Sequence, residues 1–174
     1  MQYGIWAKMV FTLFLAVFAA STFPSVVLAG KADCPEKVKE TVAINFAKEM
    51  NDGKYKAVTG VELKKWVDAK KDMLIVDTMP LEASYKKRHI PNAVQFEFPI
   101  PRMTRMAEKK KAEFIKLLGP DKDRLLVFYC GFVECARSHN GALWAVDLGY
   151  KNVYRYPGGI EGWAQAGFPA EKGD

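Results

Sequence analysis

The chain has 174 residues, with 26 Lys and Arg against 20 Asp and Glu, a formal net charge of +6 and 49% hydrophobic residues. A chain of that size buries a core without help from disulfides, and so modest a basic excess does not point to nucleic acid as a partner. Three cysteines and two histidines, in neither C-x2-C nor H-x3-H spacing, give no basis for a structural metal, and no cofactor is expected.

Lys8 is the only charge before Lys31, Met9 to Ala20 is almost wholly apolar, and Val27-Leu28-Ala29 supplies the small-residue pattern of a signal-peptidase site. Residues 1–29 read as a signal peptide cleaved before Gly30. A retained membrane anchor is the alternative, disfavoured by Pro24 and the Ser21-Thr22 pair, which interrupt the apolar run. Lys31-Ala32-Asp33 is too polar a lead-in to make Cys34 a lipoprotein cysteine. Loss of Lys8 lowers the charge from +6 to +5. The mature chain is expected in the periplasm or another extracytoplasmic space, with no stable membrane insertion.

Residues 30–54 form an N-terminal extension whose apolar stripe, Val38, Val42, Phe46 and Met50, predicts a helix from Pro35 to Met50 that breaks at Asn51-Asp52-Gly53. Tyr55 to Val58 fits a short edge strand. Thr59-Gly60-Val61-Glu62 is a capping box opening a helix with Leu63, Trp66 and Val67 on one face. Met73 to Val76 is a buried strand ending at Asp77. Leu81 to Arg88 reads as helical, and Ile90-Pro91-Asn92 turns into a strand at Ala93 to Phe96. The basic cluster from Arg102 to Lys116 is interrupted by Glu108 and Glu113 and carries Phe114, Leu117 and Leu118, so it reads as a solvated amphipathic helix. Leu125-Leu126-Val127-Phe128-Tyr129 is a continuous apolar run, as expected of a strand covered on both faces. A helix from Ser138 to Leu148, a strand at Val153-Tyr154-Arg155-Tyr156 and a short helix around Trp163 complete the map. Strands alternating with helices imply an α/β fold, a mostly parallel central sheet flanked by helices on both faces, with the N-terminal helix as an addition.

Cys130 stands where the most apolar strand stops. In an open α/β sheet, chemistry collects at the carboxyl ends of strands. Backbone N–H groups of the following loop and helix favour an anion there, which predicts a reactive thiol with thiolate character.

Four segments resemble the rhodanese-like family. These are the strand ending in Asp77, His89-Ile90-Pro91-Asn92-Ala93, Tyr129-Cys130 followed by Arg137-Ser138 and Leu148-Gly149-Tyr150, and Pro157-Gly158-Gly159-Ile160-Glu161-Gly162-Trp163. The resemblance implies a rhodanese-like domain over residues 55–174. It further implies that a loop cysteine carries sulfane sulfur as a persulfide, taken from thiosulfate, polysulfide or a related small donor and passed to a thiol or cyanide. Under it, Cys130 is the catalytic thiol and Gly131, Phe132, Val133, Glu134, Ala136, Arg137 and Ser138 form the substrate-binding loop. Asp77, His89, Gly158, Gly159 and Trp163 are expected to be structural.

The loop departs from the family's common form, because six residues separate Cys130 from Arg137, and Thr78 and Met79 stand where a basic residue is usual after the early Asp. Arg137 is open between pairing with an oxyanion and a surface ion pair with Glu134, and Ser138 reads first as a helix N-cap. Cys135, in the same loop, is expected to resolve a Cys130 persulfide, leaving a disulfide for a thioredoxin-like reductant to open. Cys34 is the odd cysteine, with its pairing left open. His139 reads as a first-turn residue, with contact to the loop as its alternative. Two functions of different class follow: an exported sulfurtransferase or persulfide carrier, or a non-catalytic module recognising a protein or an oxyanion. A thiol–disulfide redox protein is a variant of the first.

Overall fold

The computed structural model describes residues 35–173. The leader, its cleavage site and Cys34 lie outside the described residues. Five strands form one parallel sheet: β1 (Lys56–Ala57), β2 (Leu74–Asp77), β3 (Val94–Gln95), β4 (Leu125–Tyr129) and β5 (Asn152–Arg155), in the spatial order β1-β5-β4-β2-β3. The most apolar strand is central, where both of its faces are covered. Register places Asp77 beside Tyr129 and Arg155 beside Phe128, so the carboxyl ends of β2, β4 and β5 finish together.

Among the described residues, five α-helices cover the sheet: α1 (Glu36–Gly53), α2 (Gly60–Asp68), α3 (Glu108–Leu118), α4 (Ala136–Asp147) and α5 (Gly159–Gln165). Alternation along each strand divides the core in two. Val76, Leu126, Phe128 and Val153 point to α1, α3 and α4, where they meet Phe114, Leu118, Ala142 and Ala145. Ile75, Val127 and Tyr129 point to α2 and α5, against Leu63, Ile160 and Trp163. Each fully buried Leu or Phe among them contributes about 1.5–3 kcal/mol. α4 lies tight on β4 because its inner face is small. A Cβ at Gly141 would stand 2.8 Å from the Phe128 ring.

The expected architecture is the observed one, including the added N-terminal helix, but several boundaries move. α1 continues through Asn51-Asp52-Gly53, and the left-handed turn falls on Lys54 (φ 52°). Gly53 serves contact rather than reversal, since a Cβ there would lie 2.3 Å from the Tyr55 ring. Thr59 caps α2 through its Oγ1, accepting from Glu62 N at 3.2 Å. The segment expected to be helical from Leu81 to Arg88 is a single π turn, Leu81–Tyr85, after Pro80. The basic helix begins only at Glu108. Ahead of it, Asn140 holds the irregular segment: its Nδ2 donates to Pro99 O and Pro101 O, and its Oδ1 accepts from Met103 N. Ser138 is not an N-cap. Cys135 holds that position, and Ser138 is in the first turn of α4, buried.

Candidate active site

The loop from Cys130 to Cys135 leaves β4 and enters α4. Its backbone is fixed from the far side by the start of α5, where Ile160 N and Glu161 N donate to Cys130 O and Gly131 O at 2.9 and 3.0 Å. This approach explains Gly159. Its φ is +61°, and a Cβ would lie 2.4 Å from Gly131 O, so a side chain is excluded on both counts. Gly158 has ordinary helical angles, and a Cβ there would meet only the Tyr156 side chain, with its hydroxyl at 2.6 Å. Trp163 closes α5 on the sheet, fully buried and donating from Nε1 to Pro169 O at 2.7 Å.

The two loop thiols have different surroundings. Cys130 is 1% exposed, with Cys135 O at 3.1 Å, Phe132 O at 3.5 Å and Ser138 Oγ at 3.2 Å from its sulfur. Burial, followed by the neighbouring Cys135 sulfur, pushes its pKa well up, and the thiol proton has carbonyls to donate to. Cys135 is half-buried, and its pKa is lowered to about 6. A hydrogen bond from Cys130 is the main cause; it outweighs burial and is helped by the N–H groups of Arg137 and Gly131. The Arg137 and Gly131 amides thus favour charge on Cys135, while the Cys130 sulfur faces the Phe132 and Cys135 carbonyls.

The other loop residues divide by exposure. Phe132 (52% exposed) and Glu134 face solvent, while Gly131 is buried and Val133 and Ala136 are intermediate. Arg137 does not pair with Glu134. Its Nη1 donates to Glu97 Oε1 at 3.2 Å and to Phe98 O, tying the loop to the chain after β3. His139 faces away from the thiols. It is 1% exposed, with Nδ1 2.9 Å from the Tyr55 hydroxyl, and its pKa is lowered by burial. His89 stacks on Tyr85 at 4.0 Å and binds Tyr85 O through Nδ1, a structural place in the turn. Asp77 accepts Met79 N on Oδ1 at 2.9 Å, while Oδ2 lies near the Tyr129 hydroxyl without a well-formed hydrogen bond. Its carboxyl is pushed up by burial. Among the described residues no cluster of ligating side chains could hold a metal ion, and no helix is long and apolar enough to cross a membrane.

Arg155 is the site residue that sequence reasoning missed. Fully buried at the end of β5, it reaches under the loop to Ser138 Oγ (2.8 Å), Val133 O (2.7 Å) and Cys135 O (3.2 Å), and it pairs with Glu49 of α1. The available signal was a lone charge in an apolar strand, Val153-Tyr154-Arg155-Tyr156. Beside the loop, a cleft of about 380 Å³ opens between α1 and Val133-Glu134, with Phe46, Glu49 and Arg102 on its walls.

A parallel α/β sheet with a loop of two free cysteines at the carboxyl end of its central strand defines a class, and comparison with known proteins gives the family. The rhodanese-like domain model matches residues 59–166, and the chain belongs to that family. The comparison with curated proteins gave no match. Among solved structures, the polysulfide-sulfur transferase homodimer of Wolinella succinogenes is 18% identical with a TM-score of 0.53, covering 82% of this chain and 96% of that one. Thiosulfate sulfurtransferase of Pseudomonas aeruginosa is 19% identical with a TM-score of 0.57, covering 76% of this chain but 23% of its own. A Rhodopseudomonas palustris protein described as a possible tyrosine phosphatase is 20% identical with a TM-score of 0.54, covering 75% and 93%. At these identities the likeness is one of fold.

Proposed function

We propose that the protein is a sulfurtransferase or persulfide carrier working through the Cys130–Cys135 pair. The observation carrying this reading is that two free thiols, one half-exposed and one buried, share the loop at the carboxyl end of β4. The rhodanese-like family and the sulfurtransferases among the structural neighbours agree with it. Burial favours Cys135 for first contact with a donor, the reverse of the order expected from sequence. The Cys135 thiolate attacks the sulfane sulfur of thiosulfate or a polysulfide. A Cys135 persulfide forms, the donor's S–S bond breaks, and sulfite or the shortened polysulfide leaves with the electron pair. An external thiol or cyanide then takes the outer sulfur. In a second route, Cys130 attacks the inner sulfur, its proton and the electron pair leave as hydrosulfide, and the resulting disulfide is reopened by a thioredoxin-like dithiol.

Peptide-resolved mass spectrometry after exposure to thiosulfate and, separately, polysulfide tests the reading. One added sulfur atom on the loop peptide supports it. With Cys130→Ser the persulfide should persist, and with Cys135→Ser it should not form. The opposite pattern restores Cys130 as the acceptor, and no added sulfur with either donor leaves a binding module. We further propose that the chain works after export, with cleavage before Gly30. N-terminal sequencing of the cell-envelope protein checks this, and an intact Met1 in washed membranes refutes it.

A further inference from the structure

Arg155 uses every donor it has. A guanidinium carries five N–H groups in a rigid planar fork. Here Nε donates to Ser138 Oγ, Nη1 to Glu49 Oε2 and the Tyr55 hydroxyl (3.3 Å), and Nη2 to the Val133 and Cys135 carbonyls. The group is 0% exposed and cannot shed its charge, so it needs a carboxylate. That carboxylate comes from α1, outside the residues matched by the family model. Glu49 therefore does more than attach a covering helix. It makes tolerable a buried cation whose other contacts, the Tyr55 hydroxyl apart, are to the loop carrying the two thiols or to Ser138.

The consequence runs through Ser138. Arg155 Nε can only donate, so the Ser138 oxygen accepts from it, which leaves the hydroxyl proton free to be donated to Cys130 Sγ, 3.2 Å away. When Cys130 loses its proton to attack a neighbouring persulfide, that hydroxyl is the donor already aimed at the developing charge. On the other side, the grip on the Val133 and Cys135 carbonyls fixes the backbone that carries the second thiol.

We propose that Arg155 and Glu49 are positioning residues for the thiol pair: the guanidinium orients the Ser138 hydroxyl toward Cys130 and pins the loop, and α1 supplies the counter-charge that keeps it there. The chemical part of this rests on the sulfur-transfer reading; the pinning does not.

The test compares Arg155→Lys, Glu49→Gln, Ser138→Ala and the double variant Arg155→Lys/Ser138→Ala in the mature chain, each at a temperature where melting shows it folded. Two quantities are read: hydrosulfide released in a single turnover with polysulfide, and the rate at which iodoacetamide labels Cys130. Arg155→Lys and Glu49→Gln should each slow hydrosulfide release by about tenfold to a hundredfold, the cost of misplacing a reacting group. Lysine keeps the charge but not the fork, so it should fail to rescue. Ser138→Ala should slow release too, and the double variant should be no slower than Arg155→Lys alone, since one acts through the other. Cys130 should be labelled faster in both clamp variants, because the loop held over it is released. Wild-type release rates in folded variants, full rescue by lysine, or additive losses would overturn the proposal. Should wild-type protein take up no sulfur, the sulfur-transfer reading falls, and the labelling of Cys130 decides alone: faster labelling upholds the pinning, unchanged labelling ends it. If Arg155→Lys does not fold, Glu49→Gln, which keeps the side chain's shape, carries the comparison.

Discussion

Asp77 and Arg155 end the two strands that flank β4, both fully buried, on opposite faces of the sheet. Asp77 has a backbone N–H and a nearby tyrosine hydroxyl but no ion-pair partner among the described residues, and burial pushes its carboxyl toward the neutral form. Arg155 remains charged. Burial opposes that charge, but Tyr55 and Glu49 turn the net shift upward. The two charges make opposite demands on the fold. A carboxyl can take up a proton and be closed over by apolar residues, as α5 and Trp163 do on the Asp77 face. A guanidinium cannot, so its face must recruit a carboxylate, and here it recruits a whole helix.

Each face can be broken alone. Trp163 is 0% exposed and meets Tyr156 and Phe168 edge to face. Trp163→Ala should lower stability by about 3–5 kcal/mol in urea or thermal melts. A loss below about 1 kcal/mol would mean that α5 does not close the Asp77 face. Glu49→Ala leaves a buried guanidinium without its counter-charge and should cost about 3 kcal/mol, toward the low end for such pairs because Glu49 itself is 29% exposed. The two losses should add within about 0.5 kcal/mol, because the residues belong to separate faces. Strong coupling between them would mean that the two faces do not stand independently.

The same contrast marks what the sequence could tell. β2, β4, Asp77 and the Gly158-Gly159…Trp163 segment were legible because their causes are local: an apolar run, a strand end, a glycine needed where two loops touch. Arg155 was not. Its meaning depends on Glu49, 106 residues away, and on carbonyls that face it only after the loop has folded. How the loop divides its amides between the two thiols was hidden for a related reason. Position after a strand predicts that amides converge, but not on which of two cysteines. Ser138 was assigned to the helix start by a sound local rule, yet α4 begins two residues earlier and turns the hydroxyl inward. Arg137 was recognised as a pairing residue, but its partner, Glu97, is in a distant segment.

The thiol pair sits between the two faces, and its asymmetry can be sharpened by removing one sulfur. If the Cys130 thiol is the main reason Cys135 ionises easily, Cys130→Ala should move the half-point of Cys135 labelling by iodoacetamide from near pH 6 up toward the ordinary 9. The direction is fixed by the lost donor: without that hydrogen bond, burial again works against the thiolate. A half-point that stays near 6 would assign the effect to Arg137 and the Gly131 amide instead.

The smallest effect expected is at Asp77, and it is a slope rather than a loss. Its folded pKa is raised above the ordinary 3.8 by burial, so the folded state binds its proton more tightly than the unfolded chain does. Stability from this group is therefore fully present below pH 3.8 and is lost as pH rises through the raised folded value. Asp77→Asn keeps the oxygen that accepts from Met79 N and removes the titration. Wild-type protein should lose stability relative to the variant as pH climbs from about 4 through the raised folded value, with the two curves parallel on either side of that window. Urea unfolding at a series of pH values reads the difference directly. Parallel curves throughout would show that Asp77 keeps its charge on folding, and a difference of the opposite slope would show that its charge is held by a partner, as that of Arg155 is.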